Sequence, residues 1–322
     1  MRVAYVFNVQ HEAAEAEAEF DTQETVDYVA GLLDELGHDV VLVDAGVPLP
    51  AFVERLASSA PDLVFNTAEG RTGTFREALY PSLYEELGLP YTGSGPWTCA
   101  VTLDKRLTKV LAAAAGVATP PSLLVQASSD LDRLAIEPPL IVKPNFEGSS
   151  MGIRAGSVAA TADDTRRVAE AAVERFPDGV LVEQFVPGRD VSVAFLEPYG
   201  ALAAVEYVFA DHAAFYHYEL KNERPDDVEV RVRASLADEQ EAGLAAAAAT
   251  VFDACSVRDF ARADFRVADD GTLWFLEVNA LPALLEGAGI YAAAAEKGLT
   301  PAETVGAIVD SALRRHPTRV AT

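Results

Sequence analysis

Strand-like and helix-like segments alternate through the first third of the chain, and this alternation limits the folds that it can adopt. The strand patterns lie at residues 2–9, 39–45 and 61–66. Apolar residues recur at helical spacing over residues 24–38, 50–60 and 75–88. Strands that alternate with helices favour a parallel sheet, so we predict an N-terminal α/β domain at residues 1–96. No G-x-G-x-x-G motif follows the first strand, which counts against a dinucleotide-dependent enzyme.

The remaining two thirds combine helices with strands that lengthen toward the C-terminus. Up to residue 186, strands are predicted at residues 121–126, 139–144 and 180–186, and helices at residues 104–116 and 162–176. Beyond it, strands are predicted at residues 190–197, 201–209, 228–234, 260–267 and 272–279, and helices at residues 238–255 and 302–316. We therefore predict a central domain at residues 97–180 and a C-terminal domain at residues 181–322. The predicted fold class is α/β with an α+β C-terminal part.

The charge of the chain excludes several kinds of partner. Asp and Glu number 50 against 25 Lys and Arg, a formal net charge of −25. Such a surface repels nucleic-acid phosphates and anionic membranes, so neither is expected as a partner. The N-terminus lacks a basic leader, no apolar run reaches membrane length, and the two cysteines, Cys99 and Cys255, have no metal-site spacing. These features predict a soluble cytoplasmic protein.

The stretch "ARADFRVADDGTLWFLEVNA" combines two apolar strands with an Asp-Gly turn signal, which predicts a β-hairpin. A loop of two or four residues, centred on the two adjacent aspartates, would place Arg262 opposite Glu277 and Asp264 one diagonal step away. Because strand side chains alternate between faces, Asn279 should emerge on the same side as these three.

Oxygen-bearing side chains clustered on a rigid hairpin are typical of a magnesium site. Mg²⁺ is a hard cation that carboxylates and substrate phosphates commonly share. Asp264, Glu277 and Asn279 would supply the protein oxygens. Arg262 beside them could stabilise negative charge that develops during a reaction. The alternative is that these are solvated charges on an exposed sheet face.

Lysine is rare in this chain, so the positions of the lysines are informative. They are Lys105, Lys109, Lys143, Lys221 and Lys297. Lys143 ends a predicted strand just before the loop "EGSSMG", and Lys105 begins a predicted helix. Phosphate sites combine the point charge of a lysine with backbone N–H groups of a glycine-rich loop, and such a loop can cover a triphosphate. The alternative is that these lysines only keep the surface soluble.

Eight segments carry a family resemblance in their order and spacing. They are "LGLPYTGSG", "LDKRLTK", "GVATPPSLLV", "LIVKPNFEGSSMGI", "VLVEQFVPGRDVSV", "FYHYELK", "FARADFRV" and "FLEVNALPALLEGA". Together, from about residue 60 to the C-terminus, the chain resembles the D-alanine–D-alanine ligase family of the ATP-grasp superfamily. The resemblance implies an ATP-grasp fold that follows an N-terminal parallel α/β domain.

The resemblance also implies a nucleotide site. The residues that would contact ATP are Lys105, Lys143, Glu183, Gln184, Val186, Asp190 and Lys221. Among them, the lysines match residues at the phosphates, the segment from Glu183 to Val186 matches the strand that reads adenine, and Asp190 takes the place of a ribose-binding acid. ATP is therefore the implied cofactor.

Metal and catalytic roles follow from the same resemblance. Asp264, Glu277 and Asn279 match the ligands of two Mg²⁺ ions, which Mn²⁺ can replace. Arg262 matches the arginine that stabilises a tetrahedral intermediate. Ser149 matches a loop serine in the hydrogen-bond network of the substrate site, and Lys221, which matches a lysine near the phosphates, is the third residue with an implied catalytic role.

The implied reaction joins two amino acids in two steps. ATP phosphorylates the carboxylate of the first amino acid, and the amine of the second then attacks this acylphosphate and releases phosphate. No protein nucleophile is required, so the absence of a Ser-His pattern is no obstacle. Small amino acids are the implied partners, and a homodimer is expected by analogy.

The segments that would bind the amino acids depart from the family pattern. The family's "GGxSxExxVS" is "NVQHEAAEAEAEF" here, with Glu12 as a candidate acid, and "HGxxGEDG" appears as "AEGRTGTFRE". Asn222 stands where many of these ligases carry tyrosine. Ala283 replaces a glycine, and Ala288 stands near the position of a carboxylate-binding serine. These changes predict amide-bond synthesis with altered substrates.

Three charged residues could bind a substrate. Arg71 and Arg76 could pair with a substrate carboxylate, although we interpret them as surface charges, and Glu286 could select a cationic group.

Four interpretations of the function stay open. The main hypothesis is a dipeptide ligase of unspecified substrates. Its alternatives are a housekeeping D-alanine–D-alanine ligase, an L-amino-acid or γ-glutamyl dipeptide ligase of a specialised pathway, and an ATP-binding sensor without ligase activity.

Overall fold

The N-terminal part of the chain forms a parallel α/β sheet. The computed structural model describes residues 1–12, 14–210, 215–233 and 236–316. The strands of this sheet are β1 (Arg2–Phe7), β2 (Asp39–Asp44) and β3 (Leu63–Asn66), and its helices are α1 (Gln23–Glu35), α2 (Leu49–Ser59) and α3 (Arg76–Leu87). The strand order is β2-β1-β3, and both pairings are parallel. The strand–helix alternation of the sequence is therefore confirmed as a parallel sheet.

A second, antiparallel sheet follows two short helices. The helices are α4 (Pro96–Leu103) and α5 (Lys105–Ala114), and the strands are β4 (Ser122–Val125), β5 (Leu140–Pro144), β6 (Val158–Ala159) and β7 (Val180–Gln184), with α6 (Ala162–Arg175) before the last. The order is β4-β7-β5-β6. Asp104 caps α5 by accepting a hydrogen bond from the backbone N–H of Leu107 (3.0 Å), and this cap makes Lys105 the first residue of the helix.

A third, five-stranded antiparallel sheet fills the C-terminal part. Its strands are β8 (Gly188–Leu196), β9 (Gly200–Phe209), β10 (Val228–Val232), β11 (Phe260–Ala268) and β12 (Leu273–Asn279), and the helices are α7 (Asp238–Ala254), α8 (Gly289–Ala295) and α9 (Pro301–Arg315). The order is β10-β9-β8-β11-β12. β10 ends at Val232, and Ala234, the last residue predicted for this strand, lies outside the described residues. In the described ranges, no helix has the length and apolar character that crossing a bilayer requires.

One hydrophobic core joins the two ends of the chain. It packs Val3 and Phe65 of the parallel sheet against Val305 and Ile308 of α9 and against Leu196 of β8, all of them fully buried. A separate core lies between the five-stranded sheet and α7. The parallel sheet is thereby fixed against the C-terminal sheet, and a segment before α1 reaches the loop after β5.

The β11–β12 hairpin differs in register from the prediction. Arg262 pairs with Asn279, and Asp264 pairs with Glu277, so the expected Arg262–Glu277 pairing is wrong. The loop has three residues rather than two or four: the backbone N–H of Ala268 donates to the carbonyl oxygen of Thr272 (2.9 Å).

Two local features explain the shift in the hairpin. Gly271 has a φ of +88°, a conformation that glycine adopts without strain and that three-residue hairpin loops use. A bulge between Asp264 and Phe265 then adds a second one-residue offset. Two offsets move the partner of Arg262 by two residues, so the four polar side chains keep a common face.

Candidate active site

The predicted site residues converge on one cavity of about 800 Å³. It lies between the second and third sheets, beneath the glycine loop (residues 146–154), and residues 18–22 close one side. Eleven of the twelve predicted residues line it: Lys143, Ser149, Glu183, Gln184, Val186, Asp190, Lys221, Arg262, Asp264, Glu277 and Asn279. The twelfth, Lys105, lies behind this lining and contacts Glu277.

Charged side chains of the hairpin pair with one another and with α5. The Arg262 guanidinium donates two hydrogen bonds to the Asp264 carboxylate, at 2.7 and 2.8 Å. The ammonium of Lys105 lies 3.2 Å from the Glu277 carboxylate. Burial alone would raise the pKa of Glu277, but the positive charges of Lys105 and Lys143 lower it to about 2. Glu277 is therefore ionised at neutral pH and can act as an oxygen ligand.

The hairpin oxygens fit a magnesium ion that is shared with phosphates. Asp264 and Glu277 are directly cross-strand, and the side-chain oxygen of Asn279 accepts a hydrogen bond from the backbone N–H of Leu281 (2.9 Å). In the described part of the chain, no group of three or more His, Cys, Asp or Glu could hold a metal by itself. Two carboxylates and one amide suit Mg²⁺ because it usually takes only one or two carboxylates and completes its shell with water and phosphate oxygens.

A buried carboxylate bridges two lysines at the end of the cavity nearest the second sheet. Oε1 of Glu183 lies 2.9 Å from the ammonium of Lys143, and Oε2 lies 2.6 Å from that of Lys109. Burial lowers the pKa of Lys109 to about 8, whereas the carboxylates around Lys143 raise its pKa against the effect of burial. Lys109 also donates to the carbonyl oxygen of Phe275 (3.3 Å) and so ties α5 to β12.

Lys109 was given no role by the sequence analysis. Its only signal was its spacing, four residues after Lys105 in "LDKRLTK", which puts both lysines on one face of α5.

The glycine loop approaches the C-terminal side of the cavity through Ser149. The Ser149 hydroxyl lies 3.5 Å from the ammonium of Lys221, and the side-chain amide of Asn222 donates to the Ser149 carbonyl oxygen (3.3 Å). Asn222 thus reaches the backbone of the loop. Burial, with the positive charge of Arg262, lowers the pKa of Lys221 to about 8.

Asp190 is placed at the cavity but is already engaged. One carboxylate oxygen lies 2.8 Å from the Arg266 guanidinium, and the other accepts the backbone N–H of Tyr216 (2.8 Å). Arg266 also donates to the carbonyl oxygens of Val186 and Gly188, at 3.0 and 2.8 Å. The predicted adenine strand and the predicted ribose acid are therefore held together by one arginine.

The interpretation of Arg76 as a surface charge is wrong. Arg76 is 7% exposed, and its guanidinium contacts the carboxylates of Glu19 and Glu147 and the carbonyl oxygen of Phe146. Arg71 agrees with that interpretation: it is exposed, and it donates to the Gly46 carbonyl oxygen (2.9 Å). The two arginines differ because the side chain of Arg76 points toward the glycine loop.

Two acids that the sequence analysis did not single out line the cavity, Glu19 and Asp21. Asp21 accepts a hydrogen bond from the Thr67 hydroxyl (2.7 Å), and burial raises its pKa to about 6. Glu12 and Glu286, the two acids that were considered for substrate binding, are exposed and do not line the cavity. In "EAAEAEAEFD", acids recur too often for their pattern to distinguish the inward-facing ones.

Comparison with known proteins gives consistent matches. A family model described as the D-ala D-ala ligase C-terminus matches residues 124–310. A D-alanine–D-alanine ligase from Anaeromyxobacter sp. (strain Fw109-5) is 36% identical over 291 residues, which are 88% of this chain and 89% of that relative.

Two solved structures share the fold over nearly the whole chain. The D-alanine–D-alanine ligase from Bacillus anthracis, complexed with ATP, matches with a TM-score of 0.78 at 20% identity and covers 98% of this chain and 99% of that one. The VanG D-Ala:D-Ser ligase from Enterococcus faecalis matches with a TM-score of 0.76 at 18% identity and covers 97% of this chain and 99% of that one.

Proposed function

Because this chain belongs to the D-alanine–D-alanine ligase family, and because it has the ATP-grasp fold, we propose that it is an ATP-dependent, ADP-forming ligase that joins two amino acids. The observation that carries this proposal is the convergence of three groups on one cavity: the hairpin carboxylates, the buried lysines and the glycine loop. A site that only bound nucleotide would not need Arg262 at the metal-binding face.

We assign nucleotide binding to the end of the cavity where Lys143 and Glu183 lie. Lys143 and Lys105 would contact the phosphates, and the glycine loop would cover them and exclude water. The segment from Glu183 to Val186 would read adenine, and Asp190 would bind the ribose. For that contact, Asp190 would share its carboxylate between the sugar and Arg266.

The hairpin would stabilise charge during phosphoryl and acyl transfer. Mg²⁺, proposed as two ions that Mn²⁺ can replace, would be held by Asp264, Glu277 and Asn279 and would neutralise phosphate charge when bound. Arg262 and Lys221 would face the oxyanion that forms as the second amine attacks the acylphosphate. Ser149 would help to orient the second amino acid through its contact with Lys221.

D-Alanine is one candidate for both substrates, and the names of the relatives support it. The VanG match supports a different second amino acid on the same fold. Asn222, Ala283 and Ala288, which line the cavity, favour amino acids other than D-alanine. L-Amino-acid and γ-glutamyl dipeptides therefore stay within the proposal.

Three further features belong to the proposal. The division into domains at residues 1–96, 97–180 and 181–322 is supported by three separate sheets, although β7 extends to Gln184. A cytoplasmic location and a homodimer are proposed from the family. Small amino acids are the proposed partners.

Release of ADP with Mg²⁺-ATP, across single and paired L- and D-amino acids, tests the proposal when it is combined with mass spectrometry of the products. ADP that depends on particular amino acids, with a new dipeptide mass, is the expected result. D-Alanine alone yielding its dimer would identify the housekeeping enzyme. Tight ATP binding without turnover on any pair would point first to amino acids outside the panel and then to the sensor.

A further inference from the structure

The glycine loop is held by residues of the N-terminal α/β part. Arg76, the first residue of α3, donates to the carbonyl oxygen of Phe146 (2.7 Å) and lies 3.2 Å from the Glu147 carboxylate. The same guanidinium contacts both carboxylate oxygens of Glu19, at 2.8 and 2.7 Å. The ammonium of Lys105 donates to the Glu147 carbonyl oxygen at the same place. The start of the loop is thus fixed by two cations from outside it.

Glu19 carries this contact into the middle of the loop. Its Oε1 accepts the backbone N–H of Gly148 at 2.5 Å. A Cβ added at Gly148 would collide with the same carboxylate oxygen, so only glycine lets the carboxylate approach the backbone this closely. Gly148 immediately precedes Ser149, which faces Lys221. An acid outside the loop therefore determines where its cavity-facing residues lie.

The charges around Arg76 make this arrangement depend on the arginine. The side chains of Arg76 and Glu19 are only 6% and 7% exposed. Glu147 contacts the same guanidinium and adds a second negative charge close by. Without the arginine, Glu19 would face this like charge and lose a two-point contact, and it would no longer be fixed at the Gly148 amide.

A second acid from the same segment holds the end of the loop. The Glu15 carboxylate accepts the backbone N–H of Gly152 (2.8 Å) and pairs with Arg154 (2.7 Å) and Arg175 (2.6 Å). Glu15 and Glu19 both belong to "EAAEAEAEF", which departs from the family motif, and Arg76 belongs to the other departing segment, "AEGRTGTFRE". The two departures therefore meet at the glycine loop.

We propose that Arg76 is a positioning residue, which fixes Glu19 so that Glu19 holds the glycine loop closed over the nucleotide. This inference rests on the proposed function, because the loop matters only if a nucleotide lies beneath it. Arg76 acts through Glu19 and the loop backbone and touches no substrate. This role explains why a buried ion pair lies beside the cavity, in a segment that was expected to bind an amino acid.

Hydrogen exchange of the whole chain, measured by mass spectrometry, tests the proposal without depending on ligase activity. In Arg76→Gln, the exchange rate of the backbone amides of residues 146–154 should rise roughly tenfold or more, because the charge-assisted contacts that hold the loop are lost. Exchange in β1 and β8 should stay as in the wild type. Arg71→Gln is the matched control, since Arg71 lies in the same segment but is exposed and donates to Gly46 rather than to the glycine loop, and it should not change the exchange of the loop. Arg76→Lys keeps the positive charge but lacks the planar guanidinium that makes a two-point contact, so its loop exchange rate should fall between those of the other two variants.

Nucleotide release provides the second readout. ADP should dissociate faster from Arg76→Gln than from wild type by a similar factor, with an unchanged rate for Arg71→Gln. Glu19→Gln keeps Arg76 and should raise the exchange rate of the same loop amides. It provides the test if Arg76→Gln does not fold.

Loop exchange equal to wild type in both folded variants would overturn the proposal. Faster exchange throughout the chain, without a local effect on the loop, would also overturn it, because it would make the pair a general stabilising contact. A failure of the ligase proposal is distinguishable, because amino acids would then fail to promote ADP formation even in the wild type.

Discussion

The Lys105 ammonium lies 3.2 Å from the Glu277 carboxylate and joins the first turn of α5 to the hairpin of the third sheet. Lys105 also donates to the Glu147 carbonyl oxygen, so one ammonium contacts both the hairpin and the glycine loop. A phosphate bound between them would meet a lysine whose position is fixed before it arrives. Such preorganisation lowers the cost of reorganising the site during the reaction.

Replacing Glu277 with glutamine is expected to abolish ADP formation while the protein stays folded. The amide removes the anion that the lysines keep ionised, and with it a charged oxygen ligand for Mg²⁺. We expect a fall in kcat of at least about a hundredfold, the scale of electrostatic contributions of this kind. Circular dichroism monitors the fold, and Asp269→Asn, in the exposed hairpin loop, is the control. Near-normal turnover would refute the metal assignment.

Replacing Lys143 with alanine should raise the KM for ATP. The lysine is buried beside Glu183 at the start of the glycine loop, where it would contact a phosphate. Loss of one charge-assisted contact is worth roughly tenfold to a hundredfold in binding. Steady-state kinetics at varied ATP measures the change, and Lys297→Ala, at an exposed lysine, should match the wild type. Unchanged ATP kinetics would show that Lys143 does not contact ATP.

The ligase should lose kcat/KM as the pH rises through about 8. Burial and Arg262 lower the pKa of Lys221 to about 8, so its charged form dominates below that pH and is lost above it. Since kcat/KM reports groups of the free enzyme, the alkaline limb should appear in that parameter. Lys221→Arg keeps the charge at higher pH and should remove the limb. If the limb persists in this variant, the titrating group is another one, such as Lys109.

The stability of the fold should decrease between pH 5 and pH 8 because of a buried acid pair. Glu77 hydrogen-bonds Glu69, and burial with the charge of Glu19 raises the pKa of Glu77 to about 8 against the opposing charges of Arg76 and Lys105. The folded state holds a proton that the unfolded state releases near the ordinary pKa. This stabilisation is therefore complete below about pH 4.5 and is lost as the pH rises toward 8.

Urea unfolding at several pH values measures that decrease. Glu77→Gln keeps the side chain neutral at every pH and should flatten the profile. Glu86→Gln, at an exposed position of the same helix, should follow the wild type. Equal slopes for Glu77→Gln and the wild type would contradict the assignment.

The fold was predictable from the sequence because periodicity is a local property. Strand and helix spacing in the first third of the chain led directly to the parallel sheet, and the hairpin was found from two apolar runs around Asp-Gly. The register was not predictable. It depends on Gly271 in a three-residue loop and on a bulge at Asp264, and both are set by packing as well as by local sequence.

The residues that the sequence analysis misjudged are those whose role depends on distant partners. Arg76 meets Glu19, which lies 57 positions away, and Phe146, which lies 70 away. Lys109 of α5 meets Glu183 of β7. A charge in a helix pattern looks like a solvated surface charge until a fold places carboxylates against it. Pairing of this kind becomes visible only in three dimensions.

The core shared by the parallel sheet and α9 has a consequence for how the chain is made. Val3 and Phe65 emerge from the ribosome well before Val305 and Ile308, which complete the same core. Part of this apolar core therefore stays uncovered until α9 has been made, and exposed apolar surfaces of this kind attract chaperones and invite aggregation. Folding of the N-terminal part is completed only after α9 has left the exit tunnel.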